Sequence, residues 1–431
     1  MKKRCVRVHV AEIKPSDYGK GVLLQGWVQE IRDIGKLKFI VLRDFSGIIQ
    51  ITAHKETTPD AVFSLISKIP RESVVVIEGN VKKSKQAPGG REVLPEKITI
   101  LSKAEQPLPI DISERSKTEF SKRLDYRWLD IRRPSIAAIF KIRSAFLKLA
   151  ANWFSKEGFI QINSPKITVV GAEGGAEMFN LMYFGKPAFL AQSPQLYKQE
   201  TQSAFEKVFE IGPCYRAELH HTPRHLCEFT GLDFEISFIK GENDIMRVCE
   251  KMLHDIIKKL FDECKNEFKL LKVKVNVPKI PFPQVTYSDA LKIIKRKELD
   301  AEAERKISDY TLKKYNSEFV WVTNYPWEKK PFYTMKEETG KFGRDFDLLF
   351  KGIEIVTGSQ REHRYDTLLK QAKDKKMSIS GFKNYLDYFR YGVPPHGGLG
   401  LGIDRFIKQL LNLENVREAV LFPRDPERLS P

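Results

Sequence analysis

The first hundred residues constrain the fold most tightly. Five short β-rich runs, at 22–28, 38–42, 48–52, 73–79 and 96–101, are separated by turn signals such as DIGK, DFSG and APGG. A helical stretch at 59–68 falls between the third and fourth runs. Five strands with a helix in that place is the order of an OB-fold barrel, a frequent binder of single-stranded nucleic acid. On such a barrel Phe39 can stack a base and Gln50 can read a base edge. Glu96, at the start of the fifth run, can accept from a base amino group. The chain carries a net charge of +17, with a pI near 9.4. An excess of that size favours a polyanionic partner, because each phosphate contact releases condensed counterions.

A chain of 431 residues is too long for one ordinary core, so two or three domains are expected. We place the OB-type domain at 1–104, a linker at 105–135 and a second domain at 136–431. Proline and charge dominate the linker. Its Arg115, Lys117, Lys122, Arg123, Arg127, Arg132 and Arg133 make a candidate phosphate-tracking edge. The five cysteines include no C-x-x-C pair, which indicates neither a zinc site nor a disulfide framework and suggests a reducing compartment. The start MKKRCVRVHVAEIKP has no apolar signal-peptide core, and no window approaches an uninterrupted membrane span. A cytoplasmic protein without membrane contact is expected.

In the second domain, apolar spacing predicts helices at 137–156 and 244–261. Residues 188–191, 319–323, 332–336 and 346–357 read as strands, and 361–375 and 382–392 as helices. The span 265–313 is charged and shows no usable pattern. The most informative stretch is FEIGPCYRAELHHTPRHLCEFTGLDFE, at 209–235: an apolar strand, a polar loop and a second apolar strand. It sets Arg216 and Glu218 at the first strand's exit, Arg224 and His225 in the loop, and Phe229, Asp233 and Glu235 on the return. One wall bearing arginines, carboxylates and an aromatic ring suits an anionic ligand with a ring, and a nucleotide fits that description.

Three separated signatures then agree. The helix leading into GFIQINSPKI (140–165), the hairpin YRAELHHTPRHLCEF (within 209–235) and GLGLGIDR (within 397–412) resemble motifs 1, 2 and 3 of the class II aminoacyl-tRNA synthetases. An OB-fold in front of them resembles the subclass that contains the aspartate, asparagine and lysine enzymes. SPQLYKQ, FDLLFKGIEIVTGSQREH and FPRDPERL are most similar to aspartyl-tRNA synthetases of the archaeal and eukaryotic type. The resemblance covers essentially the whole chain. It implies an α+β protein: a five-stranded OB-fold barrel, then a catalytic domain on a mixed, mainly antiparallel sheet flanked by helices. It also implies an aspartate–tRNA ligase that uses ATP and Mg2+, acts on tRNA(Asp), and is homodimeric through motif 1.

Residue by residue, the resemblance implies that Arg216 bridges the α-phosphate and the substrate carboxylate, while Arg405 meets the γ-phosphate of a bent ATP. Glu218, Arg224, His225 and Leu226 would hold adenine and phosphates, Phe229 would stack the base, and Gly402, Ile403, Asp404 and Glu354 would complete the ATP site. Asp347 and Glu354 match the family's metal carboxylates. Thr357 stands where relatives often carry serine, so its ligand role departs from the pattern. Asp347 and Glu354 are seven apart, an odd spacing for one strand face unless a bulge intervenes. Lys198 and Arg361 would grip the aspartate side chain, Asp233 would orient Lys198, and Gln195 and Glu173 would hold the α-amino end. Glu173 lies in the glycine loop GAEGGAE, expected to close over aspartate. Phe39, Gln50 and Glu96 match anticodon-reading positions. Gln29 and Pro88 occupy the positions associated with tRNA choice, and proline there resembles relaxed enzymes that also charge tRNA(Asn).

Three alternatives accompany this expectation. Asparagine could be the substrate, although a cation at Lys198 would then repay little. A tRNA-binding paralogue without catalysis would be free to lose Arg216, Glu354 or Arg405, and all three are present. An ammonia-using asparagine synthetase on the same core would need no OB-fold.

Overall fold

Residues 7–171, 177–219, 222–377 and 379–431 are described by the computed structural model, in which Met1–Pro109 and Ile110–Pro431 pack as separate units. In the first unit, strands β1 (Gly21–Ile34), β2 (Leu37–Arg43), β3 (Ile48–His54), β4 (Val74–Lys83) and β5 (Arg91–Ser102) close into a barrel in the order β1-β2-β3-β5-β4. Alternate residues point inward, so Val22, Leu24, Val28, Ile40, Leu42, Ile49, Ile51, Val75, Ile77 and Val93 form one core. Helix α1 (Asp60–Ile66) adds Val62, Phe63 and Ile66 to it. Closure leaves no unpaired edge, which a small sheet in water needs. The fifth strand begins at Arg91, so Glu96 lies within it and not at its start.

The expected linker at 105–135 needs correction. From Ile110 onward it belongs to the second unit, with helices α2 (Phe120–Asp125) and α3 (Arg127–Asp130). Part of its charge is spent internally: Arg123, Arg127 and Arg133 converge on the buried Asp130, while Arg115, Lys117 and Lys122 are exposed. Arg127 also donates to the carbonyls of Glu418, Val420 and Leu421. These three arginines therefore clasp one buried carboxylate, and sequence composition could not distinguish that from a solvated run.

Helix α4 (Pro134–Lys156) leads into the short strands β6 (Ile160–Gln161), β7 (Ile167–Thr168), β8 (Asn180–Tyr183) and β9 (Lys186–Leu190). Helix α5 (Gln195–Phe205), strands β10 (Lys207–Tyr215) and β11 (Glu228–Ser237), and helices α6 (Glu242–Glu263) and α7 (Lys265–Leu271) follow. Next come β12 (Gln284–Thr286), α8 (Tyr287–Ile294), α9 (Ala301–Tyr315), β13 (Phe319–Thr323), β14 (Asp345–Phe350) and β15 (Ile353–Gln360). The chain closes with α10 (Tyr365–Asp374), α11 (Lys383–Tyr388), β16 (His396–Gly402) and α12 (Ile403–Leu410). The span that showed no pattern thus holds three helices and a strand.

The main sheet has the order β12-β13-β14-β15-β16-β11-β10-β6. Only its outermost pairs, β12 with β13 and β6 with β10, are parallel; the strands between are antiparallel. Period-two alternation gives the sheet two chemically different faces. Leu232, Phe234, Phe346, Leu348, Leu399 and Leu401 point to the side covered by α4, α6 and α12 and share its core. Each such burial is worth about 1.5–3 kcal/mol. The other face carries Asp233, Glu235, Asp347, Thr357, Ser359, Gly398, Gly400 and Gly402.

Two expected elements differ. Residues 332–336 form no strand; Thr334 and Lys336 make isolated bridges to Arg361 and Gly343. The helix expected from 361 begins at Tyr365, and Arg361 is extended. The stretch 346–357 is a hairpin turning at Lys351–Gly352, both with positive φ, of 48° and 83°, as a tight two-residue turn requires.

Candidate active site

The floor of the site follows from the alternation in HGGLGLG. Leu399 and Leu401 face the core, so Gly398, Gly400 and Gly402 face the opposite side. Gly398 lies between Glu235 and Ser359 of the neighbouring strands, and Gly400 between Asp233 and Thr357. A Cβ on Gly398 would sit 2.0 Å from the Phe234 carbonyl oxygen and 2.2 Å from Glu235 Oε2. Glycine is thus required for the acidic side chains to lie flat across the strand. Gly398→Ala should cost about 1–3 kcal/mol of stability, read as a lowered Tm.

Two cations cross this floor. Lys198, from α5, is 1% exposed; its Nζ donates to Asp233 Oδ1 at 2.8 Å and to the Leu399 carbonyl at 2.9 Å. Arg361 donates from Nε to Glu235 Oε1 (2.9 Å), from Nη1 to Ser359 Oγ (2.7 Å), and from Nη2 to Glu235 Oε2 (3.3 Å) and the Gly398 carbonyl (2.9 Å). Burial opposes the Arg361 charge, but Glu235 outweighs it and holds the guanidinium above its usual range. Glu235 lay on the predicted wall without an assigned task; its task here is to fix Arg361.

Above the floor opens a cavity of about 370 Å³. Arg216 leaves β10 with its guanidinium 5.4 Å from the Phe229 ring centroid, its Nη1 3.9 Å from Glu218. Arg405, in the first turn of α12, donates from Nε to the Arg224 carbonyl at 3.1 Å and from Nη1 to the Glu354 carbonyl at 3.3 Å. Arg224 donates to Glu304 Oε2 at 2.8 Å. One rim therefore carries three guanidinium groups, which suits a polyphosphate.

Asp347 and Glu354 also meet in the cavity. Their spacing is explained by the hairpin: Asp347 pairs with Thr357 and Leu349 with Glu354, with a bulge between them. Burial, with Asp347 beside it, pushes the Glu354 carboxyl up to about 7, against the pull of Arg405. Asp345 is likewise pushed up to about 7 by burial and by Asp347, against Lys330. The Lys330 ammonium bridges Asp345 and Asp347 at 3.1 Å each. Crowded hard carboxylates beside the Thr357 hydroxyl are a fitting donor set for Mg2+, although among the described residues no three His, Cys, Asp or Glu side chains are grouped as a metal cage.

The cavity brings together nearly every residue that the sequence nominated: Gln195, Lys198, Arg216, Glu218, Arg224, His225, Leu226, Phe229, Asp233, Asp347, Glu354, Thr357, Arg361, Gly402, Asp404 and Arg405 all line it. Ile403 does not; its side chain is in the core beneath, because the residue after Gly402 points to the opposite face. The Asp404 carboxylate is engaged by Arg143 Nη2 (2.7 Å) and the Thr230 amide (2.8 Å), so it braces the hairpin. Glu173 lies outside the described residues. Sequence reasoning passed over Glu304, Lys330, Asp345 and Ser359.

On the barrel, Gln50 Nε2 donates to Thr52 Oγ1 (3.1 Å) and Glu92 Oε2 (3.2 Å), and Glu96 accepts from Asn80 at 2.5 Å. Phe39, opposite Arg32 and Thr52, is half-buried on the outer face. Gln29 sits at a bulge in β1, and Pro88 is exposed in the turn before β5.

Comparison with known proteins gives the same division. Residues 119–426 match the family model "tRNA synthetases class II (D, K and N)" and residues 22–101 match "OB-fold nucleic acid binding domain". The chain is 44% identical to the Aspartate–tRNA(Asp) ligase of Pyrococcus abyssi, with 99% of this chain and 100% of the relative covered. It is also 44% identical to the Aspartate–tRNA(Asp/Asn) ligase of Archaeoglobus fulgidus at the same coverage. Among solved structures, asparaginyl-tRNA synthetase from Pyrococcus horikoshii, complexed with asparaginyl-adenylate, superposes with a TM-score of 0.93 at 34% identity, covering 99% of this chain and 100% of that one. Aspartyl tRNA synthetase from Entamoeba histolytica gives 0.89 at 30% identity, covering 100% and 94%. The chain therefore belongs to the class II tRNA synthetases of the D, K and N group, with an OB-fold nucleic-acid-binding domain earlier in the sequence.

Proposed function

We propose that this enzyme is an aspartate–tRNA ligase, joining L-aspartate to ATP as aspartyl-adenylate and passing aspartate to the 3′ end of tRNA(Asp). The observation that carries the choice of amino acid is a count of N–H groups. Lys198 has three donors and Arg361 five. Asp233 and Leu399 take two from Lys198; Glu235, Ser359 and Gly398 take four from Arg361. One donor remains on each, a further acceptor near Lys198 Nζ, Glu235 Oε2, being 3.7 Å away and beyond hydrogen-bond length. A side-chain carboxylate accepts both. An amide would turn its own NH2 toward one of them, leaving a buried donor unpaired at about 1–3 kcal/mol. Because Asp233 and Glu235 already balance the two cations, selection rests on these spare donors and not on net charge. The likeness to an asparaginyl enzyme reflects the shared fold; 44% identity to ligases named for aspartate supports the carboxylate.

In the first step a substrate carboxylate oxygen attacks the α-phosphorus, and the bond to diphosphate breaks. Both reactants are anions, so positioning and positive charge supply the catalysis. Arg216 would hold the α-phosphate and the attacking carboxylate together. Phe229 would stack the adenine, and Arg405 and Arg224 would meet the outer phosphates, with Glu218, His225 and Leu226 closing the nucleotide wall. Asp347, Glu354 and Thr357 would hold Mg2+, which supplies charge neutralisation to the phosphates. Gln195 would accept from the α-ammonium group.

The OB face supports tRNA binding, with Phe39, Gln50 and Glu96 toward the anticodon. Gln29 and Pro88 support relaxed charging that includes tRNA(Asn). A homodimer is supported by the groove beside α4 lined by Ala137, Phe140, Ala145 and Leu421. No described helix is long and apolar enough to cross a membrane. Charging purified tRNA(Asp) and tRNA(Asn) side by side should load aspartate on both. No loading of tRNA(Asn) at any enzyme level would remove the relaxed reading, and no loading of either would remove the ligase reading.

A further inference from the structure

Behind the cavity, α5, α11 and β16 enclose a buried polar chain whose atoms can be assigned one after another. His396 is wholly buried, and its Nδ1 lies 2.9 Å from the Pro394 carbonyl oxygen. A carbonyl only accepts, so Nδ1 carries the proton. Burial lowers the His396 pKa to about 4; Glu235 raises it less, and Arg361 and His363 add to the lowering. The ring is thus neutral, and Nε2 offers a lone pair. The group facing it, 2.9 Å away, is the Gln199 amide, which must present its NH2. That turns Gln199 Oε1 the other way, where it accepts from Tyr385 Oη at 2.9 Å and from Gln195 Nε2 at 2.7 Å. With its NH2 taken, Gln195 leaves its carbonyl oxygen to the cavity it lines. Among the described residues no hydrogen bond reaches that oxygen.

We infer that His396 and Gln199 are positioning residues for the amino-acid substrate: they lock the Gln195 amide with its oxygen toward the cavity, so that it accepts from the substrate's α-ammonium group. Neither touches substrate. Without the histidine lone pair, the Gln199 and Gln195 amides can rotate together and present an NH2 to a cation, at the cost of one favourable contact and the gain of a repulsive one. The inference rests on the aspartate reading above and adds a polarity to it.

The test is ATP–diphosphate exchange with His396→Leu, Gln199→Met and Gln199→Glu. A carboxyl at 199 still accepts from Gln195, whereas Met does neither job. His396→Leu and Gln199→Met should raise KM for aspartate roughly tenfold with KM for ATP within about twofold. Gln199→Glu should stay within about threefold of the parent. Succinate, which has both carboxylates and no ammonium, serves as a competitive probe; its Ki should hold in all three variants. If His396→Leu folds poorly, Gln199→Met against Gln199→Glu makes the same comparison. Equal loss in Met and Glu variants, unchanged KM in the Met variant, or succinate weakened in parallel with aspartate would overturn the relay. Failure of the parent enzyme to exchange with aspartate would instead overturn the aspartate reading.

Discussion

Lys198→Met is expected to abolish selection of the amino acid while leaving the nucleotide side intact. The substitution keeps most of the volume but removes the donor to Asp233 and to the Leu399 carbonyl, together with the spare N–H. Asp233 is 6% exposed, so its buried carboxylate would lose the ammonium group that balances its charge. Breaking such a pair costs about 3–5 kcal/mol, and kcat/KM for aspartate should fall by about 10³ or more. KM for ATP should change little, because Arg216, Arg405 and Phe229 are untouched. A parallel loss of ATP binding would show that Lys198 merely holds the domain together. Restoration of exchange by asparagine is not expected, since the buried Asp233 carboxylate would still lack its cation.

Arg216→Ala should have the other large effect, on the rate and less on binding. Its guanidinium lines the cavity beside the Phe229 ring, 5.4 Å from the ring centroid. The α-phosphate and the entering carboxylate are both anions and are forced closest in the transition state, so loss of one preorganised donor should lower kcat by about 10²–10³. Arg216→Lys should recover part of this, because a point charge replaces a planar fork. Single-turnover formation of adenylate separates the step from product release; an unchanged single-turnover rate in the Ala variant would remove Arg216 from the reaction.

Much of this site was legible in the residues. The hairpin at 209–235 and the glycines of β16 both announce themselves by alternation, and alternation also assigns their faces. Glu235 could be read the same way, two residues beyond Asp233 on one strand face. Other residues had no such signal. Lys330 reaches the acidic cluster from a segment without regular structure, where no period exists to follow. Glu304 is one carboxylate among several on a charged helix, and only the packing of α9 against β15 marks it as buried. The linker failed for a related reason: composition reports charge, not whether the charge is paired, and Arg127 is among the most deeply buried side chains in the protein. Ile403 failed by one residue of register, which reverses the face a side chain meets.

The selection of a carboxylate by two spare N–H groups is tested most directly by comparing the two amino acids on one preparation. Exchange of labelled diphosphate into ATP should depend on aspartate, with kcat/KM at least about 10³ above that for asparagine. Comparable values for the two, or a preference for asparagine, would contradict the donor count at Lys198 and Arg361.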